Sequence, residues 1–157
     1  MFTLELSLYA VLLHEGKLLL SKHDDSGRTR CALPGTRIVL GQPLPTSIEA
    51  MFHAKYQQQA KVVKLLYLVD HAHNHKQEQV HELAHYYVCE LVEPDQWVPG
   101  ADELLLPPKK LLDAGFEPSA LIPQIACDAA DGFKVSPKHV VIHTDAAGSS
   151  SADITKI

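Results

Sequence analysis

Long apolar runs are missing from this chain of 157 residues. The longest are of strand length, as at residues 9–13 and 65–69, far below the ~20 residues that a membrane-spanning helix needs. A helical membrane span is excluded on that ground. A basic leader with a small-residue cleavage site is also missing, because the first residues alternate and pass straight into a strand pattern. No secretion signal is expected, and the expected compartment is the cytoplasm. Cysteine is scarce. Cys31, Cys89 and Cys127 are odd in number and widely spaced, which suits reduced thiols acting as small core residues rather than a disulfide framework or a zinc knuckle. There is no basic block either: 14 Lys and Arg stand against 19 Asp and Glu, for a net charge of -5. Duplex nucleic acid is therefore not expected as a partner, since that contact is largely phosphate neutralisation. A single nucleotide stays compatible.

What remains is a globular composition, 46% hydrophobic and 21% charged, in a chain long enough to bury a core without staples. One domain is expected over residues 1–143. Residues 144–157 are small and polar, with Gly148 and three consecutive serines, and are expected to form a flexible tail. The compositional oddity is histidine: ten residues, with His71, His73, His75 and His81 close together.

Residues 5–13 and 17–22, separated by Glu15-Gly16, predict a hairpin. Residues 24–30 are polar, contain Gly27 and predict a loop; a short strand is expected over 36–40 after the Pro34-Gly35 turn. Pro43 and Pro45 place a loop before the first amphipathic helix. Thr46 and Glu49 have capping-box spacing, and Ile48, Met51, Phe52 and Tyr56 make the inner stripe. Residues 62–69 predict a buried strand ending at Asp70, 71–79 a polar connection and 81–92 a second long strand, with His81, His85 and Cys89 on one face and Glu82, Ala84 and Tyr86 on the other. Short helices are expected near 101–105, 109–112 and 119–130, the last beginning nearer Leu121 because Pro123 suits only a first turn. An edge strand is expected at 140–142.

The string LPGTRIVLGQPLPTSIEAMFHAKYQQQAKV over residues 33–62 resembles the Nudix box, G-x5-E-x7-R-E-U-x-E-E-x-G-U, where U is a bulky aliphatic residue and Leu-Pro normally precedes. Leu33, Pro34 and Gly35 match the entrance, Thr36 takes the first box glycine, and Gly41 precedes Gln42 at the first glutamate. With an insertion of three residues around 43–46, His53 takes the arginine position, Ala54 the adjoining glutamate, Gln57 and Gln58 the glutamate pair, and Ala60 the closing glycine. The opening hairpin, the strand around Glu82 and the Trp97-Val98-Pro99 segment also resemble the family, over about residues 5–130.

The resemblance implies an α/β fold, a Nudix-type α/β/α sandwich with a curved mixed sheet. It further implies a ligand of nucleoside-diphosphate type, Mg²⁺ if the chain is an active hydrolase, and a possible homodimer. Gly35, Thr36, Arg37, Gln42, Gln57 and Gln58 are the expected ligand-binding residues. No catalytic or metal-binding residue is assigned, because an amide has neither the negative charge that Mg²⁺ seeks nor the basicity of a carboxylate. Hydrolysis is expected to be weak or lost. Two alternatives stay open. One is an interaction domain. The other is a hydrolase with displaced ligands, for which Asp24, Asp25, Glu49, Glu78, Glu82, Asp102 and Glu103 are the available carboxylates. In that reading His71, His73 and His75 point the same way if extended, with His53, Glu78, Glu82 and His85 within possible reach. The letters H-E-x-x-H at 81–85 fall on a predicted strand, where the two histidines sit too far apart for one zinc ion.

Overall fold

The computed structural model describes residues 1–157, the side chain of Asp25 apart. Strands β1 (Phe2–His14) and β2 (Lys17–Asp25) form the predicted hairpin, and both turn residues, Glu15 and Gly16, have positive φ. Such a two-residue turn matches the right-handed twist of the strands it joins. Ser26 and Gly27 repeat the device and return the chain into β3 (Arg28–Ala32), which pairs antiparallel with β2. The loop expected at 24–30 is thus a second hairpin. Its polar side chains are those of an exposed edge, which composition does not separate from a loop.

After β4 (Gly35–Arg37) the chain enters α1 (Leu44–Tyr56). The helix starts earlier than predicted, with Pro43 at the N-cap, a proline in the first turn and no side-chain cap. A first-turn proline gives up no hydrogen bond, since that amide has no helical acceptor anyway. The capping box does not form. Glu49 instead accepts from the Val62 amide at 3.2 Å and ties α1 to the next strand.

Strands β5 (Ala60–His75) and β6 (Glu78–Leu91) make a long antiparallel hairpin that turns at Lys76 and Gln77. The expected polar connection at 71–79 is therefore mostly strand. Its histidines look like a loop in isolation, yet each is held in the ladder by a partner on β6. Residues Glu103–Leu106 are β7, paired with β2, where a short helix was predicted. Residues Pro108–Lys110 and Ser119–Leu121 are single 3-10 turns, and α2 (Ile122–Ala129) starts next to Pro123 as expected. The chain closes with β8 (Lys138–Thr144) and β9 (Ser150–Lys156). Both correct the prediction: residues 150–156 are not a flexible tail but a strand, and β8 lies between β5 and β9 rather than at an edge.

The sheet runs β3-β2-β1-β6-β5-β8-β9, with β4 on β1 and β7 on β2. It is mixed, because β1 runs parallel to β6 and β5 parallel to β8. One core lies under α1, where Ile48, Phe52 and Tyr56 meet Leu8, Leu12, Cys89 and Trp97. Met51 is partly buried beside them. The other packs Leu121 and Ile125 against Val11, Tyr67, Ala84, Tyr86 and Val140. Each fully buried Leu, Ile or Phe contributes about 1.5–3 kcal/mol. Cys31 and Cys89 are buried as expected, whereas Cys127 is exposed. Among the described residues no helix is long and apolar enough to cross a membrane.

Candidate ligand groove

Strand register decides which polar groups meet. Glu5 on β1 pairs with Glu82 on β6, which pairs with His71 on β5; on the same two strands Val80 pairs with His73 and Glu78 with His75. Directly opposed residues in a sheet project to the same face. Glu5, Glu82, His71, His73 and His75 therefore form one polar field, and with Val80 they line a cleft of about 570 Å³ together with Tyr9, His23 and Glu117. An adjoining depression of about 320 Å³ shares Glu5, Tyr9, His23 and Glu82 and continues past Ser21, Gly35, Thr36 and Arg37 to Lys55. The two make one groove.

At its middle, one oxygen of Glu82 accepts hydrogen bonds from Ser7 Oγ at 2.8 Å and from the Tyr9 hydroxyl at 3.0 Å. Tyr9 stacks on Tyr86 with ring centroids 4.9 Å apart. Burial, and then the neighbouring Glu82 charge, push the Tyr9 pKa well up, so it stays a protonated donor. Arg37 pairs with Glu5 at 3.0 Å, which holds the guanidinium pKa above its usual value. At the α1 end, Lys55 Nζ donates to Ser21 Oγ at 3.1 Å and sits 5.5 Å from the centre of the Tyr56 ring. Gly35 is required by packing, since a Cβ there would stand 2.7 Å from two atoms of the Tyr9 ring.

The six expected ligand-binding residues do not converge. Gly35, Thr36 and Arg37 line the groove. Gln42 is engaged away from it, its side-chain carbonyl accepting from Ser47 Oγ at 2.8 Å. Gln57 and Gln58 line a separate depression with Glu49, His53 and Glu93. The physical reason is where α1 stops. Tyr56 is its last residue, and Gln57 takes the left-handed conformation at φ 52, donating its amide to the His53 carbonyl at 3.1 Å. Residues 57 and 58 consequently lie beyond the helix that carries residue 54, so the three do not share a helical face.

That terminus also admits a second register of the box. Read without any insertion, the box puts its closing glycine at Gln57, which is left-handed, and the first of its two aliphatic positions at Phe52, which is fully buried, while the second falls on Gln58. Ala50 then takes the arginine position, and Met51, Ala54 and Lys55 the three glutamates. Lys55 is absent from the six expected ligand-binding residues. Applying the pattern ungapped to the sequence would have exposed it. A thioether, a methyl group and an ammonium do not fit Mg²⁺, which takes hard oxygen ligands. Among the described residues no group of three or more His, Cys, Asp or Glu is placed to hold a metal ion.

Of the alternative carboxylates, Glu82 reaches the groove. Asp24 accepts from the Thr29 hydroxyl, Glu49 from the Val62 amide, and Glu78 sits opposite His75 at the end of the hairpin. Asp102 uses its backbone carbonyl to pair with Lys22, and Glu103 is in β7 with a carboxylate oxygen against Gly100. The side chain of Asp25 lies outside what is described. His71, His73 and His75 do share a face, as predicted, and line the groove. His53 is in the other depression, and His85 pairs in register with Leu68 and stacks beside Tyr87. His81, on β6, is bonded to Asp70 at 2.6 Å.

A mixed sheet between helices, with a loop-helix element leading from a Leu-Pro-Gly entrance into the edge of a polar groove, is the Nudix fold. Solved structures bear this out. A UDP-X diphosphatase superposes with a TM-score of 0.64 at 16% identity, covering 88% of this chain and 67% of its own. An ADP-ribose pyrophosphatase from Streptococcus suis gives 0.57 at 13%, covering 87% and 98%. The mutator MutT protein from Bacillus halodurans gives 0.60 at 9%, covering 96% and 97%. No protein-family model matches the sequence, and no curated protein matches it. The chain has the fold of the Nudix hydrolases, with a sequence far from theirs.

Proposed function

We propose that this chain is a Nudix-fold binding protein for a phosphate-bearing small molecule of nucleoside-diphosphate type, and that it does not hydrolyse that molecule. The observation that carries the reading is Lys55. In the ungapped box it stands where a glutamate would, and it lines the groove together with Gly35, Thr36 and Arg37. A lysine supplies a fixed positive charge to a phosphate without any metal. It does not generate a water nucleophile, which is the role a divalent ion plays in diphosphate hydrolysis. The carboxylates Glu5 and Glu82 lie farther along, suited to accept hydrogen bonds from hydroxyl or amino groups of a nucleoside.

Calorimetry with ADP-ribose and with a UDP-sugar, in chelator and then in Mg²⁺, tests this. Binding of at least one of them without metal is expected, changed less than about twofold by Mg²⁺ and weakened about tenfold or more by Lys55→Ala. Replacing Met51, Ala54 and Lys55 together by glutamate is expected to create Mg²⁺ affinity that the unaltered chain lacks.

One observation favours a second reading, a hydrolase with displaced ligands: Glu5 and Glu82 are register partners in the groove. Mg²⁺-dependent turnover by the unaltered chain, lost in Glu82→Gln, would establish it and remove the first. Silence toward every ligand would favour an interaction domain. The homodimer belongs to the same proposal, supported by the exposed apolar side chains Phe2, Leu4 and Leu6 of β1. A monomeric mass in sedimentation at micromolar concentration would end it.

A further inference from the structure

The proposed function leaves the far end of the groove unused. There β5 carries His71 and His73 two residues apart on one face, with ring centroids 4.6 Å apart and planes tilted by 38°. Neighbouring same-face residues on an extended strand have Cα atoms about 6.5–7 Å apart, so these rings lean toward one another. Both residues are part-buried and open to the groove. Among the described residues neither imidazole has a hydrogen-bond or ion-pair partner, whereas His81 and His143 are each bonded to an aspartate.

We propose that His71 and His73 form a two-imidazole chelate for a borderline divalent transition-metal ion, of which Zn²⁺ and Cu²⁺ are the type. Metal–nitrogen bonds of about 2.0 Å place the centroids of two cis imidazoles about 4.5–5 Å apart, so the observed spacing needs little rearrangement. Imidazole nitrogen favours zinc, copper or nickel over magnesium, which separates this site from the one the box would have held. Because no third His, Cys, Asp or Glu is placed to complete a set among the described residues, the protein supplies two ligands and leaves the other positions open to water or an anion in the groove. The inference stands apart from the phosphate reading.

The test is a titration of untagged protein with Zn²⁺ and with Mg²⁺ by calorimetry, alongside imidazole NMR of the same samples. One equivalent of Zn²⁺ is expected to bind tighter than about 100 µM, with the His71 and His73 ring signals shifting together and no response to Mg²⁺. His71→Asn and His73→Asn are each expected to weaken it about tenfold or more, while His143→Asn leaves it unchanged. The proposal is overturned if about 1 mM Zn²⁺ moves neither ring signal, or if binding survives both His71→Asn and His73→Asn. The ring signals of the unaltered protein decide the matter even if a variant folds poorly.

Discussion

Replacing Asp128 with alanine removes the centre of a buried polar network. The carboxylate belongs to a residue only 3% exposed and accepts hydrogen bonds from the Tyr67 hydroxyl at 2.6 Å, the Gln124 amide at 2.8 Å and the Lys138 ammonium at 2.7 Å. It thereby joins α2 to β5 and β8. The pair as a whole adds little net stability, because burying two charges costs much of what their attraction returns. Removing one partner is another matter, since Lys138, 12% exposed, would keep a buried charge without a counterion. A one-sided break costs about 3–5 kcal/mol, and the Tyr67 hydroxyl keeps the Gln124 carbonyl as an acceptor at 3.5 Å. About 4 kcal/mol is expected, a large share of the 5–15 kcal/mol that holds a typical domain. With a slope of about 2 kcal/mol per molar urea, the unfolding midpoint falls by roughly 2 M at unchanged slope.

The same carboxylate predicts an acid limb. Burial raises its pKa, but hydrogen bonds from Lys138, Tyr67 and Gln124, with the Lys138 charge, outweigh it and leave the value below the usual one. The folded pKa is then lower than the unfolded value of about 3.9. Its stabilisation is complete above that unfolded value and is lost as pH falls from there through the folded one. Asp128→Asn should flatten that limb, and Asp128→Ala with Lys138→Met should recover part of the loss by removing the stranded charge. If Asp128→Ala unfolded within about 1 kcal/mol of the unaltered chain, the network would carry no such load and the reasoning would fail.

Gly35→Ala is expected to destabilise by about 1–3 kcal/mol, because the Tyr9 ring it strikes is held by Tyr86 and Glu82; an unchanged melting temperature would show that the ring yields freely. Gln57→Gly should stabilise by up to about 1 kcal/mol in urea unfolding by relieving the left-handed φ, and a loss of stability would contradict the assigned helix end. In an NMR titration His71 should protonate near its lowered value of about 4, so its contribution to stability is complete above the unfolded histidine value of about 6.5 and is lost as pH falls from there through the folded value; a midpoint near 6.5 would refute its burial.

Period and punctuation were legible in the sequence because they depend on near neighbours. Alternation marked β1 and β6, a short run rich in Val, Leu and Tyr marked β5, Glu15-Gly16 marked a turn, and the stripe Ile48, Phe52, Tyr56 marked the buried face of α1. The order of those segments, with Leu33-Pro34-Gly35 and Gly41, was enough for the Nudix fold. Tertiary structure decided whatever needs a partner far along the chain. Residues 150–156 and the histidines of β5 are too polar to announce a strand, yet ladders to β8 and β6 satisfy their amides and carbonyls. The helix end at Tyr56 was equally hidden, since no glycine marks it and Gln57 supplies the left-handed residue instead. With α1 ending there, Gln57 and Gln58 line a separate depression, while Lys55 in the last helical turn lines the groove. A side chain's place in a site is set by strand register and helix length, which the whole packed fold determines, whereas its periodicity is already written in the residues beside it.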